Sequence, residues 1–310
     1  MNRILKIVTV IFLLLLTGCD VEQKEDIVIV YTTDVAAEVN GEIGYAGLKG
    51  YVDSLRKENR YVSIVDCGDF LDGQLAKVEN GEAIIKIMNA VGYDVVTLGN
   101  QEFAMGLDTL SSAISKSSFK YVSCNIRYLG TGRNPLSRVK PYVIKRYGFT
   151  KVAFIGVTTP ETILMGNKPA YNAIMDGDRP LYYFYEDDDR EVFYSHIQKT
   201  IDKVRKKADY VILLAHLGSN STVEGFSSYD VINNTTGLDV VIDGHAHTAL
   251  SGEAVPDKEG KIVGLTSTGE KLQNIGVLTL HPDHSFNTVL YPSVYEKDME
   301  VQLLIDSLFD

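Results

Sequence analysis

The stretch Val240-Val241-Ile242-Asp243-Gly244-His245-Ala246-His247 sets the reading of the whole chain. Three branched apolar residues in a row suit a buried strand, the Asp-Gly step is a turn signal, and two histidines stand just beyond it. Four other stretches repeat this grammar. Residues 27–31 are an apolar run followed by Asp34, and residues 62–65 are followed by Asp66-Cys67-Gly68-Asp69. Val95-Val96-Thr97-Leu98 leads into Gly99-Asn100-Gln101-Glu102, and residues 211–214 lead into Ala215-His216-Leu217-Gly218. Near-continuous apolar strands belong to sheets covered on both faces. Helical patterns lie between them at residues 47–57, 81–91 and 193–207, so the expectation is an α/β fold with helices on both sides of its sheets. Further strands are expected at 121–124 and 152–157, antiparallel ones between 261 and 293, and a short helix at 298–309.

In an open α/β sheet the ligand crevice lies outside the carboxyl ends of the strands. Asp34, Asp69, Asn100, His216, His245 and His247 all follow such ends, so five distant segments are expected to converge on one site. Imidazoles, a carboxylate able to bridge and an amide oxygen suit Zn²⁺, Mn²⁺ or Fe. Each segment alone is a weak signal, because a single strand-end histidine is more often structural. Together, in this order, they are strong.

Composition narrows the field further. The 310 residues are 45% hydrophobic and 23% charged, which excludes a disordered chain. Basic residues number 30 and acidic ones 41, a net charge of −11, which argues against any nucleic-acid partner held by its phosphates. Three cysteines cannot make a disulfide scaffold. Met1-Asn2-Arg3 and Lys6 precede an apolar run that ends Leu16-Thr17-Gly18-Cys19. That pattern is a secretory signal peptide over residues 1–18, too short to span as a helix. Its ending resembles the bacterial lipoprotein box, which implies a lipid on Cys19 and an extracytoplasmic, membrane-anchored chain on the bacterial cell surface or the periplasmic face. Loss of Arg3 and Lys6 would deepen the net charge to −13. Residues 19–26 then form the lipidated cysteine and linker, 27–295 the main domain, and 296–310 a C-terminal helix. Cys67 and Cys124 read as free core thiols, with a disulfide as the alternative. His281 and His284 read as a surface turn, His196 as exposed on a helix, and Tyr182 to Tyr185 with the acids behind it as an edge or lid segment, with an insertion as the alternative.

At this point the sequence resembles a family. It is similar to the metallophosphoesterase domain of the bacterial secreted 5′-nucleotidases, within the calcineurin-like superfamily, over about residues 26–295. The likeness includes Gly44-Tyr45-Ala46-Gly47-Leu48, Thr158-Thr159-Pro160-Glu161-Thr162 and Thr266-Ser267-Thr268-Gly269. It implies a sandwich of two mixed β-sheets flanked by helices, and metal-assisted hydrolysis of phosphate esters, including nucleotides. One metal position would take Asp69, Asn100, His216 and His245. The other would take Asp34, Asp69, His247 and a histidine at a position where this chain has Ala36. The family's catalytic His/Asp dyad falls on Gln101 and Ala104. One metal position is therefore complete, the second is short of a ligand, and the dyad is gone. Glu38, two residues beyond Ala36, is a candidate to reach in.

These departures imply reduced hydrolysis of a small phosphorylated substrate. The alternative is a catalytically inactive surface protein that keeps the fold to bind a metal or a ligand. The family's C-terminal nucleotide-binding domain has no counterpart in the sequence, and a separately encoded partner domain would be one way to supply it.

Overall fold

The computed structural model describes residues 25–309 apart from 74, 165–171, 173, 187–189, 222 and 295. The expectations for the signal peptide and for Cys19 lie outside the described residues. The chain runs β1 (Ile27–Thr32), α1 (Gly44–Glu58), β2 (Tyr61–Asp66), α2 (Glu82–Val91), β3 (Val95–Thr97), α3 (Gln101–Ala104), α4 (Leu107–Lys116) and β4 (Lys120–Val122). It continues through β5 (Tyr142–Tyr147), β6 (Thr150–Thr158), α5 (Glu161–Leu164), α6 (Arg190–Arg205), β7 (Tyr210–His216), α7 (Ser228–Asn234) and β8 (Val240–Asp243). The last elements are β9 (Ala249–Pro256), β10 (Ile262–Thr268), β11 (Ile275–Leu280), β12 (Phe286–Tyr291) and α8 (Met299–Phe309).

Two six-stranded sheets result, ordered β12-β11-β1-β2-β3-β4 and β9-β10-β8-β7-β6-β5. Each has four parallel strands and finishes in antiparallel ones, so both are mixed, as the family likeness implied. The sheets pack face to face. Ile27, Ile29 and Val65 of the first meet Phe154, Ile212, Leu214 and Ile242 of the second in one dry layer. Burial of each such side chain is worth about 1.5–3 kcal/mol.

This layer corrects the expectation of helices on both sides. Among the described residues, each sheet carries helices on its outer face only. On the first, Val52 of α1, Ile84 and Ile87 of α2, Leu110 of α4 and Ile305 of α8 share one core. On the second, Phe193, Ile197 and Ile201 of α6 pack with Val231 and Ile232 of α7. A parallel strand buried on both faces reads the same whether a helix or a second sheet covers it.

Buried hydroxyls between the sheets are satisfied across the layer, Tyr31 with Thr266 Oγ1 at 2.6 Å and Ser63 with Tyr147 at 2.7 Å. The sheets approach so closely at Gly156 that a Cβ there would collide with the Val122 carbonyl. The thiols lie in different layers, Cys67 between the sheets and Cys124 beneath α6, both buried and unbridged.

His196 is not exposed, as its helical position suggested. Its ring stacks on Tyr185 at 3.8 Å and its Nε2 meets the Cys124 carbonyl at 2.8 Å. His281 and His284 occupy a turn at the surface, as expected. Tyr182 and Tyr183 form an edge ribbon with Arg127 and Tyr128, and Phe184 packs on Phe103 of α3. Among the described residues no helix is long and apolar enough to cross a membrane.

Candidate metal centre

The parallel strands of both sheets end at one rim, and the loops that leave them carry the chemistry. Asp34 follows β1, Asp69 follows β2, Asn100 follows β3, His216 closes β7, and His245 follows β8. Backbone bonds lash these loops together: Asp34 N to the Gly68 carbonyl (3.2 Å), Ala36 N to the Asp69 carbonyl (2.9 Å), Gly244 N to the Ala215 carbonyl (3.0 Å). The turns are tight. Asp34, Asp69, His245 and His247 have φ of 51°, 58°, 78° and 54°. That left-handed region costs a non-glycine residue of order 1–3 kcal/mol and marks sites where a side chain is needed in spite of its backbone.

Asp69, His216 and His245 bring their ligand atoms within 4.8 Å of one another. His216 is fully buried. Its Nδ1–H donates to the Cys67 carbonyl at 2.7 Å, which aims Nε2 inward. Nε2 lies 3.2 Å from Asp69 Oδ2, an ion-pair contact, and has no hydrogen-bond partner. Asn100 Oδ1 is likewise buried without a partner. Buried polar atoms left without a hydrogen-bond partner are costly unless another group, such as a cation, meets them.

Two further observations agree. Gly99 keeps the space open, since a Cβ there would stand 2.7 Å from His216 Nε2 and collide with Asp69 Oδ1. Charge also asks for a cation: Asp34, Asp66, Asp69, Glu102 and Asp243 are all buried at this rim. Burial pushes Asp34 up to about 7 and Glu102 to about 7. Burial also works against ionised Asp69, but the His216 charge outweighs it and brings Asp69 below the usual carboxylate range. Burial lowers His216 too, and there the Asp69 carboxylate prevails and lifts the imidazole to about 10. The triad Asp69, His216 and His245 therefore offers a carboxylate and two imidazoles of the kind that hold a divalent cation.

The second position is less complete. Both oxygens of Asp34 accept the His245 backbone N–H at 3.0 Å, and Asp34 Oδ1 is 4.0 Å from His216 Nε2. His247 is half exposed at the rim, its Nε2 3.6 Å from Asp34 Oδ1 and its Nδ1 3.3 Å from Glu270 Oε2. Ala36 offers only backbone. Glu38 folds back over Gly41, its Cγ 3.3 Å from where a Cβ would stand there, and lies outside the clustered ligand atoms.

Gln101 begins α3, and its backbone N–H donates to Asp69 Oδ1 at 2.8 Å. A cavity of about 340 Å³ opens beside it, lined among others by Leu71, Lys77, Ala104 and Met105. Two residues that sequence reasoning gave no role also hold the site. Glu102, fully buried, accepts the N–H groups of Asp69 (2.9 Å), Leu71 (2.9 Å) and Gly99 (2.7 Å), joining the loops after β2 and β3. Glu161, at the start of α5, places Oε2 2.8 Å from His245 Nε2. Both stand just past the carboxyl ends of strands, the same signal that singled out the other site residues.

A two-sheet sandwich with Asp, Asn and His gathered at its parallel strand ends defines a metallophosphoesterase of the calcineurin-like type. Residues 57–263 match the family described as "Bacterial capsule synthesis protein PGA_cap", and the chain belongs to that family. It is homologous to the N-terminal metallophosphatase domain of 5′-nucleotidases. The snake venom 5′-nucleotidase of Gloydius brevicauda is 30% identical over 251 residues, 76% of this chain and 39% of that protein. A 5′-nucleotidase precursor from Thermus thermophilus superposes with a TM-score of 0.75 at 21% identity, over 92% of this chain and 58% of that one. The calcineurin-like phosphoesterase YfkN from Bacillus subtilis gives 0.71 at 24% identity, over 91% and 96%. The chain spans less than half the length of the curated relatives named first, 39–43% of each.

Proposed function

We propose that this protein hydrolyses phosphate esters, nucleotides among them, at a single cation position made by Asp69, Asn100, His216 and His245. The observation that carries the reading is the convergence of Asp69, His216 and His245 ligand atoms within 4.8 Å of one another, with His216 Nε2 and Asn100 Oδ1 both buried and without a hydrogen-bond partner. A divalent cation held there supplies Lewis-acid polarisation of a phosphoryl oxygen and makes water a competent nucleophile near neutral pH. His247, half exposed and 3.6 Å from buried Asp34, forms the outer edge of the site and meets the ester from the β1 side. The Gln101 amide can donate a hydrogen bond to the departing oxygen but holds no proton to give it. Ala104 leaves its flank open, and the adjoining cavity is the seat for the leaving group. The absence of a positioned general acid costs about 10²–10⁴ in rate. Turnover is therefore reduced for alkyl esters and least affected for esters whose leaving group departs without a proton. The chain works outside the cytoplasm, tethered through lipidated Cys19.

The lack of a titratable group at Gln101 and Ala104 also favours a second reading, a metal- or ligand-binding protein without turnover. Steady-state hydrolysis of p-nitrophenyl phosphate with added Mn²⁺ or Zn²⁺ decides between them, with His216→Ala as the control. Turnover that vanishes in His216→Ala, with an unchanged circular dichroism spectrum, is the expected result. Rates equal to that control would overturn the hydrolase reading and leave the binding one.

A further inference from the structure

Glu161 is buried and spends its two oxygens on different tasks. Oε2 meets His245 Nε2 at 2.8 Å. Oε1 accepts from Ser221 Oγ at 2.7 Å and from Val223 N at 3.2 Å. Its own backbone N–H is bonded to Thr159 Oγ1 at 3.2 Å, so the carboxylate is fixed from both ends. His245 stands on a tight left-handed turn with φ 78°, where Asp34 holds its backbone N–H but leaves the ring free to turn. An imidazole on a loop of that kind has two ring nitrogens to offer, and something must choose between them.

We propose that Glu161 is the positioning residue of the cation site. By accepting the Nε2 proton of His245, it fixes the tautomer in which Nδ1 carries the lone pair and turns that atom toward Asp69 and His216. A carboxylate behind a ligating imidazole orients the ring and raises its basicity, and loss of such a partner weakens metal binding about 10–100-fold. The arrangement mirrors the one at His216, where the Cys67 carbonyl holds Nδ1 and leaves Nε2 inward. The two histidines thus present opposite nitrogens, and each is held by an oxygen from another segment. The same carboxylate joins the cation site to the loop at Ser221 and Val223, because whatever moves that loop moves Oε1.

The proposal rests on the reading of Asp69, Asn100, His216 and His245 as a cation position, but not on turnover. Its test is therefore equilibrium Mn²⁺ affinity by calorimetry on the whole protein, in a cycle of four chains: unmodified, Glu161→Ala, His245→Ala and the double variant. Glu161→Ala is expected to weaken Mn²⁺ binding about 10–100-fold, and to add nothing once His245 is already alanine. Unchanged affinity, or the same loss in both backgrounds, overturns it, since a merely structural role would not depend on the imidazole. If Glu161→Ala fails to fold, Glu161→Leu, which also removes the acceptor but keeps more of the side-chain bulk, is run through the same cycle. Failure of the unmodified protein to bind Mn²⁺ removes the cation position and the proposal with it. Binding without hydrolysis leaves the proposal standing and removes only the hydrolase reading.

Discussion

Gly99→Ala separates the cation site from the fold more cleanly than removal of any ligand. The φ of Gly99 lies outside the left-handed region, so alanine fits the backbone. The difficulty is the methyl group alone, which would stand 2.7 Å from both Cε1 and Nε2 of His216 and collide with Asp69 Oδ1. Contacts between such atoms are comfortable at about 3.5–4.0 Å, so the methyl presses roughly 1 Å into the imidazole. A cation ligated by the same nitrogen would sit about 2.0–2.1 Å from it. Methyl and cation compete for one space. Overpacking costs the metal-free protein about 1–3 kcal/mol. For the unmodified protein, Mn²⁺ at 100 times its dissociation constant adds about 2.7 kcal/mol. In a domain of this size that is about 5 °C in melting temperature. Thermal melts with and without Mn²⁺ should show that rise in the unmodified protein and none in Gly99→Ala, whose metal-free melt falls by a few degrees. A variant that keeps the full Mn²⁺-induced rise would refute the placement of the cation between Asp69 and His216.

Two further results are expected. Because the metal-free site holds His216 protonated up to about 10, each cation must displace a proton. Mn²⁺ affinity should then rise about tenfold per pH unit from 6.5 to 8.5, with about one proton released, read as buffer-dependent heats in calorimetry. The sign for the metal-free fold is opposite. A histidine raised from 6.5 stabilises fully below that value, and the contribution is lost as pH rises through about 10. A pH-independent affinity would contradict both statements. Glu102→Gln replaces one acceptor oxygen by a donor against three backbone N–H groups, so urea denaturation should report a loss of about 1–3 kcal/mol.

The parallel strands and the ligands after them are legible because both signals are local. An apolar run such as Val211 to Leu214 names itself, and a histidine directly behind it can be marked without knowing its neighbours. What covers such a run is not local, which is why the face-to-face packing of the sheets does not show in the pattern. The edge strands are harder for a different reason. β5 alternates only weakly and is half buried along most of its length, and β9 is exposed at nearly every position, so neither shows the apolar run of a central strand. His196 escapes a sequence reading because its helix presents the ring to Tyr185 and the Cys124 carbonyl, contacts that no periodicity reveals. Glu102 and Glu161 stand inside quoted motifs, yet their work is done on backbone N–H groups and on another ligand's ring. A sequence lists side chains, and hydrogen bonds to main chain leave no mark on the partner's identity.

The two thiols give the chain a pair of internal clocks. Cys67 lies between the sheets, directly behind His216, whereas Cys124 lies beneath α6 on the far side of the second sheet. With Cys19 replaced, the rate at which a thiol reagent labels Cys124 follows the lifting of one helix. Labelling of Cys67 must wait for the sheets themselves to part. A ligand that slows only the second reaction has clasped the sandwich shut along the rim where the strands end.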